Sequence, residues 1–271
     1  MTEKSMARTA IVAVAIALGA YIALHFHAVA IEKTRPSLIL ASLVFTILGL
    51  AHATYMLGWR RALSFFAISA GVSGLLEQIA IWSSDVGAYY YTDVLGPKVG
   101  DVPLIIPISW FMMIYPCYVV ANLLVDGKPV APARNLPHLL WLSLITAMVE
   151  TAWDLSLDPF MTGKMKAWVW TDGGPYFGIP FENYFGWVQV TLIVIVLYRL
   201  LERRIPLRPL GPVGRKMAMV PLAVYGLNGL TDVLVGYPEA TRLLPPFVMG
   251  IPLLLAGNRL WSWKSSEEEG Q

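Results

Sequence analysis

The chain has 271 residues, of which 56% are hydrophobic and 14% are charged, and its mean hydropathy is +0.60. This composition excludes an ordinary soluble domain and indicates a multi-pass membrane protein. The net charge of +2, without a basic stripe, argues against a nucleic-acid partner, and the single cysteine, Cys117, excludes an intrachain disulfide and a cysteine-based metal site.

Apolar runs of about 20 residues, the length that crosses a bilayer as a helix, recur along the chain. They predict an all-α integral membrane protein with about eight transmembrane helices, over residues 9–31, 37–58, 62–82, 103–125, 137–157, 180–201, 215–235 and 243–261. The first run is too long for a signal peptide and lacks a small-residue cleavage site, so we expect it to be retained. Residues 1–271 are expected to form one domain, with a disordered tail over about 264–271.

The positive charges predict an orientation in the membrane. Of the 20 Lys and Arg residues, fourteen, including Arg61 and Arg199, fall in segments on one side of the predicted helices and six on the other. Because positive loops are retained on the inner side, both termini are expected to be cytoplasmic, in a cell membrane. The two long aromatic loops would then lie on the outer side.

Two segments of the chain share one pattern of helix, aromatic loop and helix. The matched spacings are Glu77–Asp85 with Glu150–Asp158, Tyr91-Thr92-Asp93 with Trp170-Thr171-Asp172, and Pro103–Trp110 with Pro180–Trp187. Three matched spacings in the same order predict an internal repeat, over about residues 62–125 and 137–201.

Several acidic residues fall within the predicted membrane helices, where burying a charge costs free energy. Glu77, Glu150, Asp154 and Asp232 fall in the outer halves of predicted helices three, five and seven, and Asp158 follows one turn after Asp154. Residues four apart share a helix face, so Glu150, Asp154 and Asp158 form a row. Acids at this depth are usually functional. We expect them to line one cavity beneath the aromatic loops, with some of them protonated at neutral pH.

The histidines and short motifs indicate no metal and no cofactor. His25 and His27 are two residues apart and do not share a helix face, so we expect them at the membrane interface. His52 is expected to be a hydrogen-bonded core residue. No GxGxxG, histidine box or CxxC is present in the sequence.

Protonated carboxyl groups beside aromatic rings suit one kind of chemistry. Such a group can protonate an electron-rich alkene, and the rings stabilise the carbocation by about 2 kcal/mol for each desolvated cation–π contact. A second acid can hold the water that attacks the cation. An apolar polyene dissolved in the bilayer is the expected substrate.

The aromatic segments also carry a family resemblance. GAYYYTDVLGPKVGDVPLIIPISW and AWVWTDGGPYFGIPFENYFGW resemble the signature segments of the CruF-type carotenoid hydratases, and the resemblance covers roughly residues 70–190. It implies a multi-pass protein of carotenoid biosynthesis that adds water, without a cofactor, across the terminal double bond of an acyclic end group. The implied partners are a carotenoid in the bilayer, the lipid itself and other enzymes of carotenoid synthesis.

Roles for individual residues follow from the sequence itself. Glu77 or Glu150 is expected to protonate the alkene, and Asp154 or Asp158 to orient the water and take its proton. Asp232 is expected to complete the catalytic group. The residues expected to bind substrate are Tyr89, Tyr91, Trp110, Trp168, Trp170, Asn183 and Trp187.

Three other functions remain open at this stage. A lycopene-type cyclase would use the same protonation but capture the cation with an internal alkene. A proton-coupled transporter would fit repeated helix pairs that carry membrane-embedded acids. A pigment-binding protein without catalysis would also need an aromatic cavity.

Overall fold

The computed structural model describes residues 2–32 and 38–263. Most of this part of the chain is helical. The helices are α1 (Glu3–His27), α2 (Leu38–Leu57), α3 (Trp59–Ser83), α4 (Ile105–Asp126), α5 (Leu136–Gly163), α6 (Phe181–Glu202), α7 (Arg215–Val235), α8 (Pro245–Val248) and α9 (Gly250–Ser262). A π-helical turn, Ala28–Glu32, extends α1, and 3-10 turns cover Asp93–Leu95 and Glu239–Leu243. The predicted disordered tail, 264–271, lies outside the described residues.

Seven segments within the described residues are long and apolar enough to cross a membrane. This finding confirms the predicted all-α multi-pass class. The 28-residue helix α5 is not one of the seven, because its buried acids lower its hydropathy. The last predicted helix, 243–261, is not continuous, since the segment Glu239–Ser262 consists of a 3-10 turn, α8 and α9.

Helix α4 is the centre of the bundle. It packs against α2, α3, α5, α7 and α9, and nearly all residues from Trp110 to Leu123 are buried. The outer faces of other helices carry large exposed side chains, such as Ile16, Trp82 and Leu254, as expected where a helix faces lipid. The core therefore surrounds α4, and the aromatic loops lie at one end of it.

The two aromatic loops are joined by a short antiparallel ladder. Strand β1 (Tyr89–Tyr91) precedes the hairpin of β2 (Lys98–Val99) and β3 (Val102–Pro103), and pairs with β4 (Trp168–Trp170). The register places Tyr89 opposite Trp170 and Tyr91 opposite Trp168. Two flanking bonds extend the ladder, from the Thr92 amide to the Ala167 carbonyl (3.0 Å) and from the Thr171 amide to the Ala88 carbonyl (2.9 Å). The predicted repeat units thus meet through their loops.

A buried ionic cluster joins α3, α4 and α6 at the opposite end of the bundle. Arg199 Nη1 lies 3.3 Å from Glu202 Oε1, and Arg199 Nη2 donates to Asn122 Oδ1 at 2.8 Å. Tyr118 donates to Glu202 Oε2 at 2.9 Å, and Arg61 Nη1 lies 3.9 Å from the same oxygen. Arg61 and Arg199 are therefore buried structural residues, although the charge count treated them as loop charges. The orientation of the termini stays a prediction.

This cluster predicts a difference between two glutamates. Glu202→Ala leaves Arg199 and Arg61 buried without their carboxylate, which should lower the free energy of unfolding by about 3–5 kcal/mol. Glu239→Ala removes an exposed carboxylate that pairs with Arg242, and its effect should be much smaller because solvent screens the pair. Thermal unfolding of the two variants in detergent measures this difference, and equal melting temperatures would contradict it.

Candidate active site

A cavity of about 280 Å³ lies beneath the aromatic loops. Residues of α1 to α7 and of both strands β1 and β4 line it, and most of its wall is apolar. Ile79 of α3 and Ile193 of α6 line the cavity and are also exposed, so the cavity reaches the surface of the bundle between these two helices. An apolar molecule in the bilayer can therefore reach it from the side.

Aromatic rings form much of the cavity wall. The aromatic residues that line it are Tyr21, Phe45, Tyr89, Tyr91, Trp110, Trp153, Trp168, Trp170 and Trp187. The ring centroids of Trp110 and Trp187 are 4.4 Å apart, and those of Tyr89 and Trp170 are 4.7 Å apart. All seven residues that the sequence suggested for substrate binding, including Asn183, line this cavity. Their role in binding remains a prediction.

Glu77 is the partly buried acid of the cavity wall, and Asp85, which also lines the cavity, is exposed. Its Oε2 accepts hydrogen bonds from the hydroxyls of Tyr89 (2.7 Å) and Tyr91 (2.9 Å), and its Oε1 accepts one from the indole of Trp110 (3.2 Å). Alternate residues of a strand point to the same face, so β1 directs both tyrosines inward and leaves Tyr90 exposed. The strand is what brings two phenols to one carboxyl group.

Two adjacent rows of residues on α5 have different surroundings. Trp153, Leu157 and Met161 line the cavity, whereas Glu150, Asp154 and Asp158 are buried but do not line it. Three residues turn a helix by about 300°, so the row of acids is rotated by only about 60° from the row that lines the cavity. The sequence analysis expected the acids of α5 to share one cavity with Glu77, and this expectation is wrong, because their row is turned towards α6. They lie instead along the contact with α6.

Residues from α6 and β4 hold two of these acids. Asp158 accepts hydrogen bonds from the Trp168 indole at Oδ1 (2.8 Å) and from the Asn183 amide at Oδ2 (2.6 Å). Glu150 Oε2 accepts one from the Thr191 hydroxyl (3.0 Å). Because Asn183 also lines the cavity, it connects the cavity with the row of acids.

The cavity wall formed by α1 and α7 contains polar residues that sequence reasoning did not assign to the site. Tyr21 and His25 of α1 line it, and both are buried, with His25 7% exposed. The Asn228 amide donates to the Tyr21 hydroxyl. Asp232, one turn after Asn228 on α7, is buried but does not line the cavity. In the sequence, the one signal for these residues was the four-residue spacing of Tyr21 and His25, which places them on the same face of a helix.

The described residues contain no group of three or more His, Cys, Asp or Glu side chains arranged to hold a metal ion. Glu77 and the α5 row offer carboxyl groups for acid–base chemistry, in the presence of aromatic rings.

Comparison with known proteins agrees with this geometry. A protein-family profile described as "Carotenoid biosynthesis protein" matches residues 37–256. The chain belongs to this carotenoid biosynthesis family. The match covers most of the chain and confirms the resemblance seen in the two aromatic segments.

One named protein is similar to part of the chain. The chain is 30% identical over 114 residues to a bisanhydrobacterioruberin hydratase from Haloarcula japonica. The aligned region covers 41% of this chain and 36% of that relative, so the chain matches about a third of the relative's length. No solved structure matches the chain.

The tyrosines around Glu77 predict how stability changes with pH. Burial, and then the nearby Glu77 charge, raises the pKa of the Tyr89 and Tyr91 hydroxyls far above their usual range. The unfolded chain ionises these phenols near pH 10, whereas the folded chain does not, so their contribution to stability is present below about pH 10 and is lost as the pH rises above it.

The double variant Tyr89→Phe/Tyr91→Phe should therefore lose less stability between about pH 9 and pH 11 than the wild type does. Thermal unfolding in detergent at several pH values measures the slope. Tyr90→Phe, at the exposed position between them, is the matched control and should keep the wild-type slope. An unchanged slope in the double variant would show that these phenols titrate in the folded protein.

Proposed function

We propose that the protein adds water across the terminal double bond of an acyclic carotenoid end group and forms a tertiary alcohol. The observation that carries this proposal is Glu77, a partly buried carboxyl group at the wall of an aromatic cavity, held by Tyr89, Tyr91 and Trp110. Membership of the carotenoid biosynthesis family and the likeness to a protein named as a hydratase support it.

The first step transfers a proton from Glu77 to the alkene. Its Oε1 carries the proton, since the bond to the Trp110 indole is the longest of the three and Oε2 already contacts two phenols. The proton bonds to the less substituted alkene carbon, and the positive charge develops on the tertiary carbon. The two tyrosine hydroxyls and the indole stabilise the carboxylate that remains on Glu77.

The cavity wall stabilises the carbocation. The faces of Trp and Tyr rings attract a cation, and a desolvated contact contributes about 2 kcal/mol. Trp110 and Trp187 lie side by side next to Glu77, and Tyr89 and Trp170 form a second pair of rings. The charge therefore forms where rings are already in place.

Water completes the reaction at the tertiary carbon. The water oxygen bonds to this carbon, and one water proton passes to a carboxylate, for which Asp158 or Asp154 is the proposed acceptor. Asn183 lines the cavity and binds Asp158, so it lies between the two. The proton returns to Glu77 before the next turnover, which leaves the addition of one water as the net change.

The size of the cavity fits an end group and not a whole carotenoid. A protein cavity of about 150 Å³ holds benzene, which corresponds to about 25 Å³ for each carbon atom. The cavity of about 280 Å³ therefore accommodates about eleven carbons, or two isoprenoid units. The rest of the polyene extends from the cavity into the bilayer.

Pigment analysis tests this function. The chain is expressed in a host that accumulates an acyclic carotenoid, and the masses and absorption spectra of the pigments are recorded. Hydration adds the mass of one water and leaves the chromophore unchanged, because the terminal alkene lies outside the conjugated system. An unchanged mass with a blue-shifted spectrum would indicate a cyclase. No new pigment from several acyclic substrates would contradict both functions and favour transport or pigment binding.

Glu77→Gln should reduce the yield of hydrated product at least about 100-fold, because general acid catalysis contributes factors of this size. Glutamine keeps an oxygen that accepts from the tyrosines, so the fold should be retained. The control is Asp93→Asn, which removes an exposed acid from the same loop region. Product at the wild-type level from Glu77→Gln would remove Glu77 from the mechanism.

The sequence analysis offered Glu150 as the other candidate for the proton donor, and Glu150→Gln separates the two. Glu150 does not line the cavity, so we expect this variant to retain more product than Glu77→Gln does. The same pigment measurement compares them. Loss of product from Glu150→Gln alone would assign the donor to α5.

A further inference from the structure

Several buried polar atoms between α5 and α6 have no hydrogen-bond partner among the atoms of the described residues. They are both carboxyl oxygens of Asp154, Oε1 of Glu150 and the hydroxyl of Tyr184. Asp154 and Glu150 are completely buried. Burying such groups without partners costs free energy, and in proteins they are usually satisfied by bound water.

Two tyrosines, Tyr176 of the second aromatic loop and Tyr184 of α6, lie near these acids. Both interact electrostatically with Asp154 and Asp158, and their rings are 5.3 Å apart. Burial, and then these two charges, raises the pKa of Tyr176 in the loop. The Tyr176 hydroxyl donates to the Leu155 carbonyl at 2.8 Å, which fixes the loop over α5. Tyr176 is only partly buried, so this space lies close to the outer surface.

We propose that Asp154, Glu150 and Tyr184 form a binding site for water, separate from the lipid-facing cavity. Carboxyl and phenol groups offer the donors and acceptors that a buried water needs, and such a water uses two to four partners. A metal ion fits less well, since no cluster of metal-ligating side chains occurs in the described residues.

The site supplies the second substrate of the reaction, and this part of the inference rests on the proposed function. Asn183 lines the cavity and donates to Asp158, so it lies at the junction between the cavity and the α5 row. Water passes from Asp154 to the cavity at this point. Its oxygen bonds to the tertiary carbocation, and one of its protons passes to the Asp154–Asp158 pair and from there back to Glu77. The polyene thus reaches the tertiary carbon from the cavity, and the water reaches it from the row of acids on α5.

Radiolytic labelling tests the water site without any substrate. Hydroxyl radicals formed from bound water by a short X-ray exposure oxidise the side chains that contact that water. The Tyr184 ring should be labelled rapidly in the wild-type protein. Tyr184 is only partly buried, so its labelling is compared between the wild type and Asp154→Leu; Tyr225, a buried tyrosine whose hydroxyl donates to the Val149 carbonyl, is the control that should be labelled equally in both. Labelling of Tyr184 should fall at least about threefold in Asp154→Leu, and unchanged labelling of Tyr184 in that variant would overturn the proposal.

Deuterium exchange tests the supply of water to the reaction. In D₂O, Glu77 delivers a deuteron to the alkene. A cation that is not captured by water returns a proton from the deuterated carbon to the Glu77 carboxylate, which regenerates the alkene with deuterium in it. Asp154→Leu should lower hydration at least about tenfold, while deuterium still enters the recovered carotenoid. Tyr184→Phe removes only a hydroxyl and should lower the ratio of hydrated to deuterated product less than Asp154→Leu does.

The controls separate this inference from the proposed function. Glu77→Gln should abolish both hydration and exchange, and Glu182→Gln, which changes an exposed acid at the start of α6, should change neither. Loss of both reactions in Asp154→Leu, with the protein extracted at the wild-type yield, would show that Asp154 takes part in protonation and overturn the supply role. If the wild type hydrates no carotenoid, the labelling of Tyr184 still decides whether the water site exists.

Discussion

The structure at the end of the bundle that carries the aromatic loops depends on holding one carboxyl group, that of Glu77, in apolar surroundings. An unpaired carboxyl there would cost several kcal/mol, and three donors offset this cost. Two of the donors, Tyr89 and Tyr91, reach the same carboxyl group because they alternate along a strand. A strand of three residues needs a partner, and β4 provides it. The position of the second aromatic loop therefore follows from the pairing that β1 needs in order to hold its two tyrosines against Glu77.

Helix α5 divides the site into an apolar side and a polar side. Its row of Trp153 and Leu157 belongs to the cavity, whereas its row of acids is closed off against α6. A carbocation needs aromatic rings until the moment of capture, while the water that captures it needs polar groups. Two adjacent rows of one helix, rotated by about 60° from each other, separate these environments, and Asn183 is the side chain that touches both.

The helices and the aromatic loops were predictable from the sequence, because apolar runs of bilayer length and clusters of aromatic residues are local signals. The arrangement of side chains within the site was not predictable, since the depth of a residue along a helix does not indicate how the helix is rotated about its axis. Asp154 and Glu77 lie at similar depth, yet they face different spaces. His25 reaches the cavity only through the packing of α1 against distant parts of the chain. Arg199 looked like a loop charge, because its buried partners lie up to 77 residues away in the sequence.

The ladder between β1 and β4 also bears on how the protein can move. It links residues on either side of α4 and α5, so the two helix pairs that flank the loops are fastened together at their outer ends. Alternating-access transport requires such units to rock against each other. Here that rocking would break the ladder and the flanking bonds of Thr92 and Thr171, and it would separate the phenols from Glu77. The architecture is suited to a site that stays assembled while a flexible chain end enters and leaves.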